Sequence, residues 1–343
     1  MSSEVAALER DVLRDLCEHA RLKPSPPRAL VRSPEAYTAL QRGRRAMRQQ
    51  TAPSLKAAIE EFHKAIELEP DYAEAWVALG YAHGRQAVIG VVPTRDGVQQ
   101  EKVETQKALM LDGTLAEGHF QLAMVASVAG DEAGYDREIQ RALELDPNFA
   151  RAWLDRADKL VMQKRFEEAE SLYQRARSLD PMSPGVMSSY AVHLFLMRRY
   201  DQAAAILFNQ TEQFPEYVNG IAQLALVYSY MGRHEDALTQ IERADLTMNP
   251  NFVVWKGIVL ARAGRVPEAR AIAQQVDDSA RARFYPPYYR AVLHAQLGER
   301  DAAFLLLEQA KLTGEWEMAR LPYDPGFDPL RADARFAVLT AAR

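Results

Sequence analysis

Apolar residues recur every three or four positions along most of this chain, a spacing that places them on one face of an α-helix. Short turns separate these stretches, and several of them read AGD, QKR, MRR, MGR and AGR, at 129–131, 163–165, 197–199, 231–233 and 263–265. Because glycine adopts positive φ without a steric cost, Gly130, Gly232 and Gly264 are suited to ending helices. The pattern predicts an all-α protein of short helices joined by tight turns.

Small residues and prolines recur with a period of 34 residues along the middle of the chain. The first set of alanines is Ala123, Ala157, Ala191 and Ala225. A second set is Ala169, Ala203 and Ala237, a third is Ala142, Ala176 and Ala244 with Gln210 as its one interruption, and prolines recur at Pro147, Pro181 and Pro215. Small residues at fixed positions let two antiparallel helices cross closely, so each repeat predicts one helix hairpin that is stabilised by stacking on its neighbours.

The segments AEAWVALGYAH, ARAWLDRADKL and FEEAESLYQRARSLDP resemble tetratricopeptide (TPR) repeats. The resemblance covers residues 34–320 and implies a TPR solenoid, a right-handed superhelix of about eight helix hairpins. Three repeats depart from the regular form. The first has a longer turn containing Pro53, the second has an extended loop, AVIGVVPTRDG, before a helix at 101–111, and one centred on Gly264 is shortened.

The two ends of the chain fall outside the repeats. Residues 1–33 predict an amphipathic helix, with one apolar side, and a proline-rich linker; that side holds Val5, Leu8, Val12, Leu16 and Ala20. Residues 321–343 predict a capping segment in which three apolar side chains, Phe327, Leu330 and Phe336, close the exposed end of the solenoid.

The order of the parts carries a narrower resemblance. SPEAYTALQRGR at the entry, the IGVVPTRDG loop and YDPGFDPLRADARFAVL at the exit are together similar to the TPR region attached to bacterial winged-helix regulators, serine/threonine kinases and adenylate cyclases. The exit departs from that family at Ala334, where a second proline is usual. The sequence shows none of those effector domains, so it is expected to be either a separate sensor unit or part of a larger protein.

Composition excludes several classes of partner. The net charge of −5, without a basic block, argues against nucleic acid as a ligand. There is no apolar run of about 18 residues to cross a membrane, and no apolar region typical of a secretory signal. A single cysteine, Cys17, excludes an internal disulfide and a cysteine-based zinc cage, and these features together predict a cytoplasmic protein. The oligomeric state stays open.

Signatures of catalysis and of metal binding are missing from the sequence. Phosphate-binding glycine motifs, zincin motifs and a nucleophile elbow do not occur, and no two histidines lie three or four residues apart. Three aspartates near the exit, Asp324, Asp328 and Asp333, are better explained as caps of backbone N–H groups than as an acid–base cluster with Arg331 and Arg335. We therefore predict no enzyme, no catalytic residue, no metal and no cofactor.

The TPR resemblance implies that the first helix of each hairpin lines the concave side. The positions one and five residues after the large opening residue, and about one turn further on, then form a mostly apolar groove: Val77, Tyr81, Phe120, Met124, Leu154, Asp158, Met162, Ser188, Val192, Phe195, Ala222, Leu226 and Tyr230. These positions lack the Lys, Arg and Asn with which some TPR proteins grip a C-terminal carboxylate. Alternatively, some of them only contact neighbouring helices, or the helix at 4–20 occupies the groove.

The function indicated is a protein–protein interaction scaffold that binds a peptide segment or a partner protein in this groove. The alternative is a sensor or regulatory TPR domain of a signalling or transcription-regulating system that acts on a separate effector.

Overall fold

A computed structural model describes residues 33–47, 51–88, 91–244, 246, 250–278 and 285–341. The helix and linker predicted for residues 1–33 therefore lie outside the described residues, apart from residue 33. Within these ranges the chain forms seventeen α-helices and two short 3₁₀ helices, and no β-strand. The prediction of an all-α repeat protein is confirmed.

The chain divides into two compact units, residues 1–152 and 153–343, and the boundary falls inside one helix. Unit 1 holds three helix hairpins. Their helices are α1 (Pro34–Met47) with α2 (Ala52–Leu68), α3 (Ala73–Val88) with α4 (Thr94–Leu111), and α5 (Ala116–Val128) with α6 (Glu132–Leu145), followed by the start of α7 (Ala150–Met162).

Unit 2 continues the same hairpin pattern. After the rest of α7 come α8 (Phe166–Leu179), α9 (Pro184–Leu196), α10 (Tyr200–Gln213), α11 (Val218–Tyr230), α12 (His234–Arg243), α13 (Pro250–Arg262), α14 (Val266–Asp278), α15 (Pro287–Gln296) and α16 (Arg300–Thr313). The two 3₁₀ helices, Trp316–Arg320 and Pro325–Leu330, and α17 (Ala334–Thr340) follow. The paired helices make eight hairpins in the described chain, as the repeat spacing predicts.

The recurring small residues are buried where the helices cross. Every alanine of the first and second sets has no exposed surface. Gln210, which interrupts the third set, is also fully buried, and its amide donates to the Pro184 carbonyl at 2.6 Å. This hydrogen bond satisfies a polar side chain at a position that alanine occupies in other repeats.

One of the predicted departures from the regular repeat is wrong. The second helix of the second hairpin, α4, begins at Thr94 and not at 101, because Gly97 lies inside the helix and not in a loop. A Cβ on Gly97 would lie 2.6 Å from the Ala87 side chain, so glycine allows α3 and α4 to approach closely. The shortening predicted around Gly264 is present, since its turn follows that of Gly232 by 32 residues and not by 34. α13 and α14 keep 13 residues each, and the helix before them, α12, has only 10. Buried Gly257, seven residues before Gly264, holds the crossing position, where a Cβ would lie 3.1 Å from the Ile272 side chain. Pro53 lies within the first helical turn of α2.

From α5 onward, each turn between paired helices holds one residue with positive φ. Gly130, Gly232 and Gly264 have φ of 72°, 77° and 77°, which confirms their predicted role. Lys164 and Arg198 hold the same turn position with φ of 65° and 59°, a conformation that is uncommon for residues with a Cβ. Backbone strain is therefore tolerated at two of these turns.

Residues 315–331, here called the return segment, run from the last hairpin back to much earlier elements of unit 2. The guanidinium of Arg198 donates two hydrogen bonds to Asp328, at 2.7 and 2.6 Å. Tyr323 packs edge-on against Phe166 at the start of α8, with ring centroids 4.3 Å apart. The segment thus reaches the turn between α9 and α10, far beyond the last hairpin.

The apolar residues of the predicted cap are also buried. Phe327 and Leu330 have no exposed surface, and Phe336 is 6% exposed. Asp324 accepts from the Gly326 N–H and Asp333 accepts from the Arg335 N–H, so the predicted capping role is confirmed for these two aspartates. The contacts to Phe166 and Arg198 are an addition that the capping prediction does not include.

We expect Ala225→Trp to lower the free energy of unfolding by about 1–3 kcal/mol or more, because the new ring overpacks a helix crossing. Ala205→Trp is the matched control, since Ala205 is exposed on α10. Its effect should stay within about 0.5 kcal/mol. Chemical denaturation of both variants measures the difference, and equal stability would contradict the assignment of the crossing positions.

Lys164→Gly and Arg198→Gly form a second matched pair, because each removes a Cβ from a turn residue with positive φ. The backbone effect of the two changes is the same, but only Arg198→Gly breaks a half-exposed ion pair. We expect Arg198→Gly to be the less stable of the two by up to about 1 kcal/mol. Amides of residues 320–330 should exchange hydrogen faster in Arg198→Gly alone. Equal exchange in both variants would show that the ion pair does not hold the return segment.

Candidate functional site

Unit 2 contains a cavity of about 460 Å³, called here the unit 2 cavity. The first helices of its hairpins, α7, α9, α11, α13 and α15, supply most of the wall, and the return segment supplies the rest. Each first helix contributes through residues on one face, so the 34-residue repeat places successive lining residues side by side. Two pairs at that spacing are Val192 with Leu226 and Ser189 with Gln223.

About half of the predicted groove residues line this cavity. They are Asp158, Ser188, Val192, Phe195, Leu226 and Tyr230. Phe195 and Tyr230 pack edge to face with ring centroids 4.9 Å apart, and Ser188 is only 4% exposed. Leu154 and Met162 are half-buried outside its lining, and Ala222 is fully buried.

In unit 1 the predicted groove residues are covered by the chain itself. Val77 and Phe120 are 1% and 2% exposed, and Tyr81 and Met124 are half-buried. The Arg151 guanidinium lies 4.8 Å from the Tyr81 ring centroid and 4.9 Å from that of Phe120. A partner therefore cannot reach the Val77 or Phe120 side chains in this structure.

Sequence reasoning missed three quarters of the lining. The missed residues are Gly185, Ser189, Ala191, Leu196, Leu207, Tyr217, Asn219, Gln223, Val227, Asn251, Trp255, Ile258, Tyr288, Tyr289, Val292, Glu317, Arg320 and Asp324. A signal existed for Ser189 and Gln223, which occupy the repeat position directly after Ser188 and Ala222. No periodic signal marks Glu317, Arg320 and Asp324, because the return segment does not belong to a repeat.

Carboxyl groups dominate the charge of the cavity. Burial raises the pKa of Asp158 to about 6, although the Tyr173 hydroxyl donates to it at 2.5 Å and so acts in the opposite direction. Burial also raises the pKa of Glu317 and of Asp324. The positive charge of Arg320 lowers the pKa of all three carboxyls, but the opposing effect of burial is larger.

Other titratable side chains of unit 2 are held within the structure. Burial lowers the pKa of His193 to about 4, and its ring packs 4.9 Å from that of Tyr173. His294 contacts Asp277 at 2.9 Å and Glu299 at 2.7 Å, so both of its ring nitrogens are engaged. Within the described ranges there is no group of three or more His, Cys, Asp or Glu side chains that could hold a metal ion. None of the helices described is long and apolar enough to cross a membrane.

Family models of the tetratricopeptide repeat match segments that contain several of the helix hairpins. A tetratricopeptide repeat model matches residues 137–185, 163–217 and 223–286, and a second TPR repeat model matches residues 54–86. The type IV pilus assembly protein PilF of Pseudomonas aeruginosa is 37% identical over 81 residues, which are 24% of this chain and 31% of that protein. The chain thus aligns with about a third of this relative's length.

Solved structures are similar to this chain to different extents. Yeast Tom70 is similar over 96% of this chain and 76% of that chain, with a TM-score of 0.51 and 17% identity, which shows the fold alone. The structure of Pseudomonas aeruginosa PilF covers 60% of this chain and 90% of that chain, with a TM-score of 0.48 and 22% identity. The two family models together match just over half of the residues. The chain belongs to the tetratricopeptide repeat family.

Proposed function

We propose that this chain is a protein-interaction module that holds an extended segment of a partner protein in the unit 2 cavity. The observation that carries the proposal is the cavity itself, which lies between the first helices of successive hairpins and the return segment. Its volume of about 460 Å³ is within the range of ligand sites, which starts at about 300 Å³.

The lining combines burial with hydrogen bonding. Val192, Leu226 and Ile258 offer apolar surface, while Ser189 and Gln223 offer polar groups on the neighbouring turns of α9 and α11. An extended peptide needs both apolar surface and polar groups. Its side chains gain free energy from burial, and its backbone N–H and C=O groups need hydrogen-bond partners. This match favours a peptide segment over a wholly apolar ligand.

Binding without catalysis is part of the proposal. TPR folds generally serve as non-catalytic scaffolds, although a fold alone does not fix a function. The similarity to a type IV pilus assembly protein covers 31% of that protein, so we infer from it only that this chain, too, works in an assembly of proteins.

Random dodecapeptides displayed on phage and selected on the full chain test the proposal. We expect selected peptides to bind, and Leu226→Trp to weaken their binding at least tenfold, about 1.4 kcal/mol, because the indole fills the cavity. Leu305→Trp is the matched control, since Leu305 is 68% exposed on α16. Fluorescence polarisation with labelled peptides gives the affinities, and thermal melts confirm that both variants fold. Failure to select any peptide, or equal binding to both variants, would refute a binding site in the cavity.

A further inference from the structure

The unit 2 cavity has more negative than positive groups. Three carboxyls line it, from Asp158, Glu317 and Asp324, against one guanidinium, from Arg320. Asp324 is already used within the protein, since it accepts from the Gly326 N–H at 2.7 Å and from the Tyr288 hydroxyl at 2.9 Å. Asp158 accepts one hydrogen bond, from the Tyr173 hydroxyl at 2.5 Å, and a carboxylate can accept several, so Asp158 and Glu317 are the carboxyls with the most capacity left for a ligand.

Glu317 is the more unusual of these two carboxyls. Glu317 is only 7% exposed, and burial is the main effect on the pKa of its carboxyl, against smaller opposing effects of its own backbone N–H, of Arg320 and of the Tyr289 hydroxyl. Arg320 is the positive charge that acts on both Glu317 and Asp158, and it acts on Asp324 as well. Removing a carboxylate from water costs several kcal/mol unless a cation or enough hydrogen bonds replace the water, so a cation in the cavity would stabilise both groups.

Aromatic rings lie next to Glu317. The rings of Trp255 and Tyr289 pack edge to face with centroids 5.9 Å apart, and both residues line the cavity. Aromatic faces attract cations, most strongly when water is excluded, and they also bury the apolar stem of a lysine or arginine side chain. Tyr230 is less suited to this role because the Arg262 guanidinium already lies 3.7 Å from its ring centroid.

The buried polar atoms of the cavity lining for which no hydrogen bond is found within the described residues include one donor and one acceptor. They are Nε1 of Trp255, a donor, and Oε1 of Gln223, an acceptor. Trp255 is 8% exposed, so its indole N–H is a buried donor beside the cavity. A donor and an acceptor are the pair that a peptide backbone needs for its C=O and N–H groups, whereas a free metal ion or a small inorganic cation would use only the acceptor.

Unit 1 also combines aromatic rings with a buried carboxyl, and there an arginine of the chain itself supplies the cation. The Arg151 guanidinium lies against the rings of Tyr81 and Phe120 and donates to the Tyr81 hydroxyl at 3.1 Å. Its positive charge also lowers the pKa of the buried Glu101, which burial raises to about 7. Aromatic rings on first helices and a buried carboxyl therefore accommodate an arginine within this chain.

We propose that the unit 2 cavity takes a lysine or arginine side chain from an extended segment of a partner protein, with Glu317 and Asp158 facing its charge and Trp255 and Tyr289 packing on its stem. This inference rests on the proposed function and adds the chemistry of the partner. An acidic side chain would be repelled by the two carboxylates, and an apolar one would leave them buried without a cation.

The experiment uses the peptides selected on the full chain. We expect a lysine or arginine at a fixed position in most of them. Replacing that peptide residue by norleucine should weaken the binding of the peptide to the unchanged protein at least tenfold. The same replacement should change affinity less than threefold in the double variant Asp158→Asn with Glu317→Gln, because the charges that it would lose are already gone.

The matched control is Glu212→Gln with Glu308→Gln, which removes two charges from exposed positions of unit 2. In this control, the norleucine replacement should still weaken peptide binding at least tenfold. Because neutral amides suit buried positions, the cavity variant is expected to fold, and the peptide-side replacement does not alter the protein at all.

The outcomes separate the two proposals. Peptides that bind in the cavity without a basic residue, or that tolerate norleucine, would overturn this inference while the proposed function stands. The inference would also be overturned if the norleucine replacement lowered the affinity of the peptide equally for the cavity variant and for the unchanged protein. If no peptide binds at all, the proposed function itself fails.

Discussion

The close crossing of paired helices at small residues is the constraint on which the rest of this structure depends. Ala157, Ala191 and Ala225 have no exposed surface, and each lies 34 residues from the next. A small residue at the crossing fixes which face of the first helix turns toward its partner, and so fixes which face remains for other contacts. The lining of the unit 2 cavity follows from this choice, because Val192 and Leu226 each come one residue after a crossing alanine.

The repeats explain the walls of the cavity, but they do not explain its charge. Of the carboxyls that line it, Glu317 and Asp324 belong to the return segment, and Arg320 contributes the opposing charge from the same segment. Asp328 holds that segment through Arg198, a turn residue in a conformation that glycine adopts more readily. Burial raises the pKa of Asp328, but hydrogen bonds from Arg198 and Arg331 outweigh burial and keep its pKa below the ordinary value.

Local information in the sequence predicts the hairpins, the glycine turns, the capping aspartates and a quarter of the cavity lining in unit 2. These features depend on neighbours within one repeat or on the repeat spacing, both of which can be read from residue order. The start of α4 was missed because Pro93 and Gly97 are typical of loops, whereas tight packing against Ala87 makes Gly97 a helical residue. The return segment was missed because its position depends on contacts such as Arg198 with Asp328, 130 residues apart.

The two units show why a predicted groove stripe does not by itself identify a binding surface. The repeat position of Phe120 in unit 1 corresponds to that of Leu154 in unit 2, yet Phe120 is buried beneath Arg151 and Leu154 is half-buried. Whether a groove position is free depends on the side chains that the following helix or a distant segment brings to it. In unit 1 that side chain is a cation, which offsets part of the effect of burial on the pKa of the Glu101 carboxyl. In unit 2 the return segment brings two carboxyls and one cation, and Asp158 adds a third carboxyl. A cavity with this excess of buried carboxyls has a physical reason to bind a positively charged group from outside the chain.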